Sequence, residues 1–133
     1  MLDYRSPDTV SPMGRGARLE DLLAHALAFP EAWEDHPWGE TVVKVGKKVF
    51  VFLGAEEGDL PNRMTVKLPD SADQALDLPG AFPTGYGLGR SGWVTLRLDS
   101  APGGVLEDWI EESYRTVAPK RLSRQLDDAS GAE

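Results

Sequence analysis

The sequence predicts an α+β domain: an antiparallel sheet of about four to five strands with helices packed on one face. Three observations carry that prediction. Apolar residues recur at helical spacing near both ends of the chain, as Leu19, Leu22, Leu23, Ala26 and Leu27 and again as Leu106, Trp109, Ile110, Ser113 and Val117. Between them lie four β-rich runs, 42–45, 48–53, 63–68 and 93–98. Strands that cluster together with helices flanking them indicate an antiparallel sheet covered on one side.

Each element follows in order. Residues 1–17 carry prolines and glycines without an apolar period and read as a flexible lead-in, with Met13 an alternative natural start. From Arg18 the helical period begins, and Pro30 stops it. Residues 30–41 read as a loop holding Trp33 and Trp38. Val42–Val45 and Lys48–Leu53 form a hairpin about Gly46-Lys47, the glycine supplying positive φ. After an acidic loop at 54–62, the run 63–68 alternates, placing Arg63, Thr65 and Lys67 on one face and Met64, Val66 and Leu68 on the other. Asp70 or Ser71 caps a short helix reaching about Leu78, where Pro79-Gly80 ends it. Residues 81–92 are glycine-rich, with room for one short strand. The strand 93–98 sets Trp93, Thr95 and Arg97 opposite Val94, Leu96 and Leu98. A long helix over about 104–118 closes the domain, Pro119 breaks it, and 120–126 adds a short basic helix. The expected organisation is one domain at 18–126 and a polar tail at 127–133, without an internal repeat.

Composition excludes several functions. No apolar run approaches the roughly 18 residues that a membrane helix requires, and no signal-peptide stretch opens the chain. A cytoplasmic location is the expectation, with no membrane partner. There is no cysteine, so disulfides, thiolate metal sites and cysteine nucleophiles are ruled out. His25 and His36 alone do not make a multi-histidine zinc site.

Charge is unevenly distributed. The chain carries a net −8, which opposes indiscriminate polyanion binding. Yet the segments 42–54, 63–68 and 84–98 hold seven cations (Lys44, Lys47, Lys48, Arg63, Lys67, Arg90 and Arg97) and no acid, leaving −15 for everything else. Strand parity puts Arg63, Lys67 and Arg97 on the polar faces of their strands, with Thr65 and Thr95 beside them. If those faces coincide, they form a cationic platform able to hold phosphates, with Trp93 or Tyr86 for stacking. The structural alternative is that a half-exposed sheet needs polar residues outside, and that lysines guard its edges.

Other motifs carry less. Gly87-Leu88-Gly89-Arg90-Ser91-Gly92 matches G-x-G-x-x-G, but the dinucleotide fingerprint must enter a helix, and here the strand WVTLRL follows. Glu31, Glu34, Asp35 and His36 could serve a metal or acid–base chemistry only by converging, which consecutive loop residues rarely do. No serine–histidine–acid set and no G-x-S-x-G elbow stands out. The chain is therefore expected to be no enzyme, without catalytic residues, cofactor or metal. Trp109 fits the core stripe; Trp93 shares its face with Thr95 and Arg97.

Several segments taken in order carry a resemblance. The stretch Glu34-Asp35-His36-Pro37-Trp38-Gly39, the hairpin from Lys44 to Phe50, and the strand Val66-Lys67-Leu68 are followed by Pro83-Thr84-Gly85-Tyr86, by Trp93-Val94-Thr95-Leu96 and by Glu112-Ser113-Tyr114. Together, over about residues 18–122, they resemble the MmcQ/YjbR family. The resemblance implies a compact double-wing α+β fold and a DNA-binding role. The chain departs from it in having Gly89 and Gly92 where relatives often carry polar or basic side chains, leaving Arg90 as the loop's cation. The expected function is a DNA-binding module that uses the basic sheet face and the turns at 46–48 and 87–92. The alternative is a protein-interaction or chaperone-like adaptor that presents the sheet or its edge to a protein partner.

Overall fold

The computed structural model of the chain describes residues 15–37, 40–55, 63–85, 88–98, 101 and 104–131. In chain order the elements are α1 (Arg15–Leu27), β1 (Ala32–Asp35), β2 (Glu40–Val45), β3 (Lys48–Ala55), β4 (Arg63–Lys67), α2 (Ala72–Leu76), β5 (Phe82–Pro83), β6 (Trp93–Arg97), α3 (Val105–Val117) and α4 (Lys120–Gly131). A 3-10 turn at Leu88–Ser91 precedes β6. The strands form one six-stranded sheet in the order β1-β2-β3-β4-β6-β5, every pairing antiparallel. The expected α+β architecture is therefore present. Among the described residues no helix is long and apolar enough to cross a membrane.

The sheet gains β1, from a segment expected to be loop. Its sequence, AWED, has no apolar alternation, and it is held at the sheet edge by pairing Ala32–Asp35 with Val42–Val45. The hairpin turns at Gly46, whose φ of +63° is open to glycine at no steric cost. A register shift between Val43 and Lys44 in the β2–β3 ladder marks a bulge. There Phe50 and Val51, consecutive residues, both enter the core.

The core lies between the sheet and the helices. Leu22 and Ala26 of α1, Leu106, Ile110 and Tyr114 of α3, and Leu122 of α4 close over Val43, Val51, Met64, Val66, Val94 and Leu96. An aromatic cluster forms its centre: Phe50 stands edge-on to Tyr114, and Phe29 stacks on Tyr114 at 4.7 Å. The Tyr114 hydroxyl donates to the Pro30 carbonyl at 2.7 Å, and burial raises its pKa. Ser113 pins α3 to the sheet. Its buried hydroxyl donates to the Phe50 carbonyl of β3 at 2.5 Å and accepts from the Lys67 N–H of β4 at 2.9 Å.

Helix α2 corrects the capping expectation. Ser71 stands at the N-cap but makes no side-chain cap. Glu112 of α3 does that work from outside, accepting from the Asp70 and Ser71 N–H groups at 2.9 and 3.1 Å and from the Ser71 hydroxyl at 2.6 Å. The last helix is also longer than expected, running twelve residues from Lys120.

Candidate anion-binding face of the sheet

Side chains paired across an antiparallel ladder share a face. The register aligns Phe52, Thr65, Thr95 and Phe82 across β3, β4, β6 and β5 on the side away from the helices. On the same side Arg63 pairs with Arg97, and Lys67 with Trp93. Three of the predicted cations and the predicted aromatic thus share one surface, Arg63 and Arg97 directly opposite each other and Lys67 four residues along β4. From Phe52 to β5, the register sets no acidic side chain on this face among the described residues.

The middle of the face is tightly organised. Thr65 and Thr95 hydroxyls lie 2.9 Å apart, and the Thr84 hydroxyl adds a third at 3.1 Å from Thr95. Trp93 packs edge-on to Phe52 with ring centroids 5.6 Å apart, so its ring is braced rather than loose. One detail makes Arg63 costly to the fold: its buried Nε has no hydrogen-bond acceptor. Arg97 lies across Gly80, where a Cβ would stand 2.4 Å from the Arg97 Cδ. Gly80 also holds a φ of +78°, and it is this left-handed conformation that favours glycine there, since the Arg97 side chain can shift away from a Cβ.

The other predicted residues are placed elsewhere. Lys44 shares the open side, but its ammonium donates to Asp35 at 2.7 Å and lies 5.2 Å from the centroid of the Trp33 ring. That hydrogen bond, with a second from the His36 N–H, lowers the Asp35 pKa. Val42, on the same side by register, is fully buried, so the accessible surface begins at Phe52. Lys47 is in the hairpin turn, and Lys48 pairs with the inward Val45. Both line a groove by the start of α4. Arg90 is exposed in the 3-10 turn, and Tyr86 lies outside the described residues. The seven cations therefore do not make one platform: three share the sheet face, Lys44 is drawn to Asp35, two belong to a separate groove and one stands in a turn.

The acidic loop residues do not converge. Asp35 faces the open side, Glu34 contacts His36 Nε2 at 2.7 Å, and Glu31 turns away to Arg121. Among the described residues no group of three or more His, Asp or Glu side chains is placed to hold a metal.

Sequence reasoning missed Phe52 and Thr84. Phe52 sits in the run KVFVFLG, apolar on both faces, so alternation could not show which phenylalanine points outward. Thr84 enters through the two-residue strand β5, too short to carry a period.

A family model described as YjbR matches residues 27–116. That span runs from the end of α1 through nearly all of α3 and contains every strand. No curated protein matches the chain.

Proposed function

Because the chain belongs to the YjbR family, we propose that it is a non-enzymatic DNA-binding module that takes its ligand on the open face of the sheet. The observation that carries this reading is the aligned pair Arg63–Arg97, with Lys67 and Trp93 on the same surface. A phosphate set between the two guanidinium groups receives charge-assisted contacts from both. Trp93, braced by Phe52, offers a ring for a base, and stacking tolerates any sequence. The surface suits a single strand laid across β4 and β6, its phosphates on the cations and a base against the indole. Phosphate contacts of this kind position a strand without reading its sequence.

The test is fluorescence anisotropy with labelled single-stranded and duplex DNA at about 50 mM salt, repeated as salt rises. Binding by the single strand, weakening steeply with salt and lost in the double variant Lys67→Glu/Arg97→Glu, is the expected result. No anisotropy change with either DNA at the lowest salt refutes the proposal.

A further inference from the structure

A second cationic surface lies on the other side of the molecule, where α3 meets α4. The Gly46 turn and the chain from Thr116 to Leu122 enclose a groove of about 510 Å³. Lys47 and Lys48 stand on one wall, Lys120 and Arg121 on the other. Val45, Ala118 and Leu122, all nearly inaccessible to solvent, form its floor. Lys120 and Arg121 occupy the first turn of α4, where the helix dipole already carries positive charge and a cation is disfavoured. Among the described residues, the only acid lining the groove is Glu31.

Glu31 is unusual. Its φ of +61° is the left-handed conformation, adopted by no other non-glycine among the described residues. Its carboxylate receives two hydrogen bonds from the Arg121 guanidinium, 2.8 and 3.1 Å long. That donation lowers the Glu31 pKa and raises that of Arg121. Both side chains are more than half exposed, so the pair is readily exchanged.

We propose that this groove docks an acidic peptide segment of a partner protein, and that Glu31 occupies its arginine anchor in the free chain. Four cations against one acid make it complementary to carboxylates. The fork already seated on Arg121 shows the bidentate geometry that an incoming Asp or Glu would adopt. Among the described residues the lining contains no aromatic ring on which a base could stack, and its apolar floor suits an aliphatic side chain between acids better than a sugar-phosphate backbone. The site shares no residue with the open face of the sheet, so it stands or falls apart from DNA binding.

The experiment measures anisotropy of a fluorescein-labelled peptide of glutamates interspersed with leucines, against the same peptide with glutamine for glutamate. The glutamate peptide binds and the glutamine peptide does not. Lys47→Glu/Lys48→Glu, at the exposed turn and the first residue of β3, removes two cations and weakens binding by about tenfold or more. Glu31→Gly frees the Arg121 fork for the peptide and tightens binding several-fold. Lys67→Glu/Arg97→Glu leaves it unchanged. Thermal melts confirm that each variant is folded. Equal affinity for the two peptides, no binding by either, or loss in the sheet-face variant but not in the turn variant overturns the proposal. Unchanged or weaker binding by Glu31→Gly removes the role of Glu31. Loss of DNA binding in the turn variant equal to its loss of peptide assigns the groove to nucleic acid instead.

Discussion

Replacing Arg63 with threonine separates what the cationic face does for the fold from what it does for a ligand. Arg63 is half-buried in β4 with Arg97 directly across the ladder. The buried Nε without an acceptor adds about 1 kcal/mol of uncompensated desolvation. Against this, the aliphatic stem covers part of the sheet, and its removal costs about 1 kcal/mol. Threonine restores β propensity at a half-buried site, worth about 0.5–1 kcal/mol. The balance favours the variant by about 0.5–1 kcal/mol, a rise in Tm of roughly 2–6 °C for a domain of this size. Urea and thermal unfolding read the stability. Anisotropy with single-stranded DNA reads the cost: affinity about three- to tenfold lower and the salt slope smaller by about one. A fall in Tm would make Arg63 a structural residue. A stabilised variant that binds DNA as before would break the link between the arginine pair and the ligand.

Ser113→Ala strands the Phe50 carbonyl and the Lys67 N–H inside the protein; the expected loss is about 1–3 kcal/mol in urea unfolding, and a change under about 0.5 kcal/mol would show that the bridge between α3 and the sheet is dispensable. Glu112→Ala removes the outside cap of α2, with an expected cost of about 1–2 kcal/mol and faster hydrogen exchange at Asp70 and Ser71; unaltered exchange there argues against the cap. Asp35 has its pKa lowered by Lys44, so its contribution is complete above the unfolded value of about 4 and is lost as pH falls through the lower folded value. Wild type should therefore melt above Asp35→Asn at neutral pH, the gap closing only below about pH 4; a gap that persists in stronger acid would locate the effect elsewhere.

How far each element could be read from the sequence depends on whether one physical signal dominated it. The α1 and α3 faces, the hairpin at Gly46 and the strands β4 and β6 each repeat one period over several residues, and each stands close to where that period puts it. The parity that set Arg63, Thr65 and Lys67 apart from Met64 and Val66 is the same one that lines the open face. Strand β1 was illegible because its partners, not its own residues, make it a strand: AWED pairs along β2 for the sake of the ladder. The Ser71 cap failed for a similar reason, since a glutamate 41 residues away reaches the same amides. Lys44, Lys47 and Lys48 lie within five residues in the sequence, yet a bulge and a turn send them to different surfaces. Charge content is local information, whereas the direction in which a charge points is not.

That distinction bears on how a chain of net charge −8 can offer surfaces to anions. Acids gather on α3, where Asp108, Glu111 and Glu112 line one depression together with Asp70 from the turn before α2, and α3 packs on the far side of the sheet from Arg63, Lys67 and Arg97. Packed layers are separated by about 10 Å, so the sheet stands between the α3 acids and a phosphate on the open face. At physiological ionic strength the Debye length is about 8 Å, and the repulsion is largely screened, while a phosphate in contact with a guanidinium is scarcely screened at all. Net charge therefore acts on the approach of a polyanion, slowing it most at low salt, and local charge decides what happens on contact. The sum over the sequence argues against binding, the arrangement argues for it, and at physiological salt the arrangement has the larger weight.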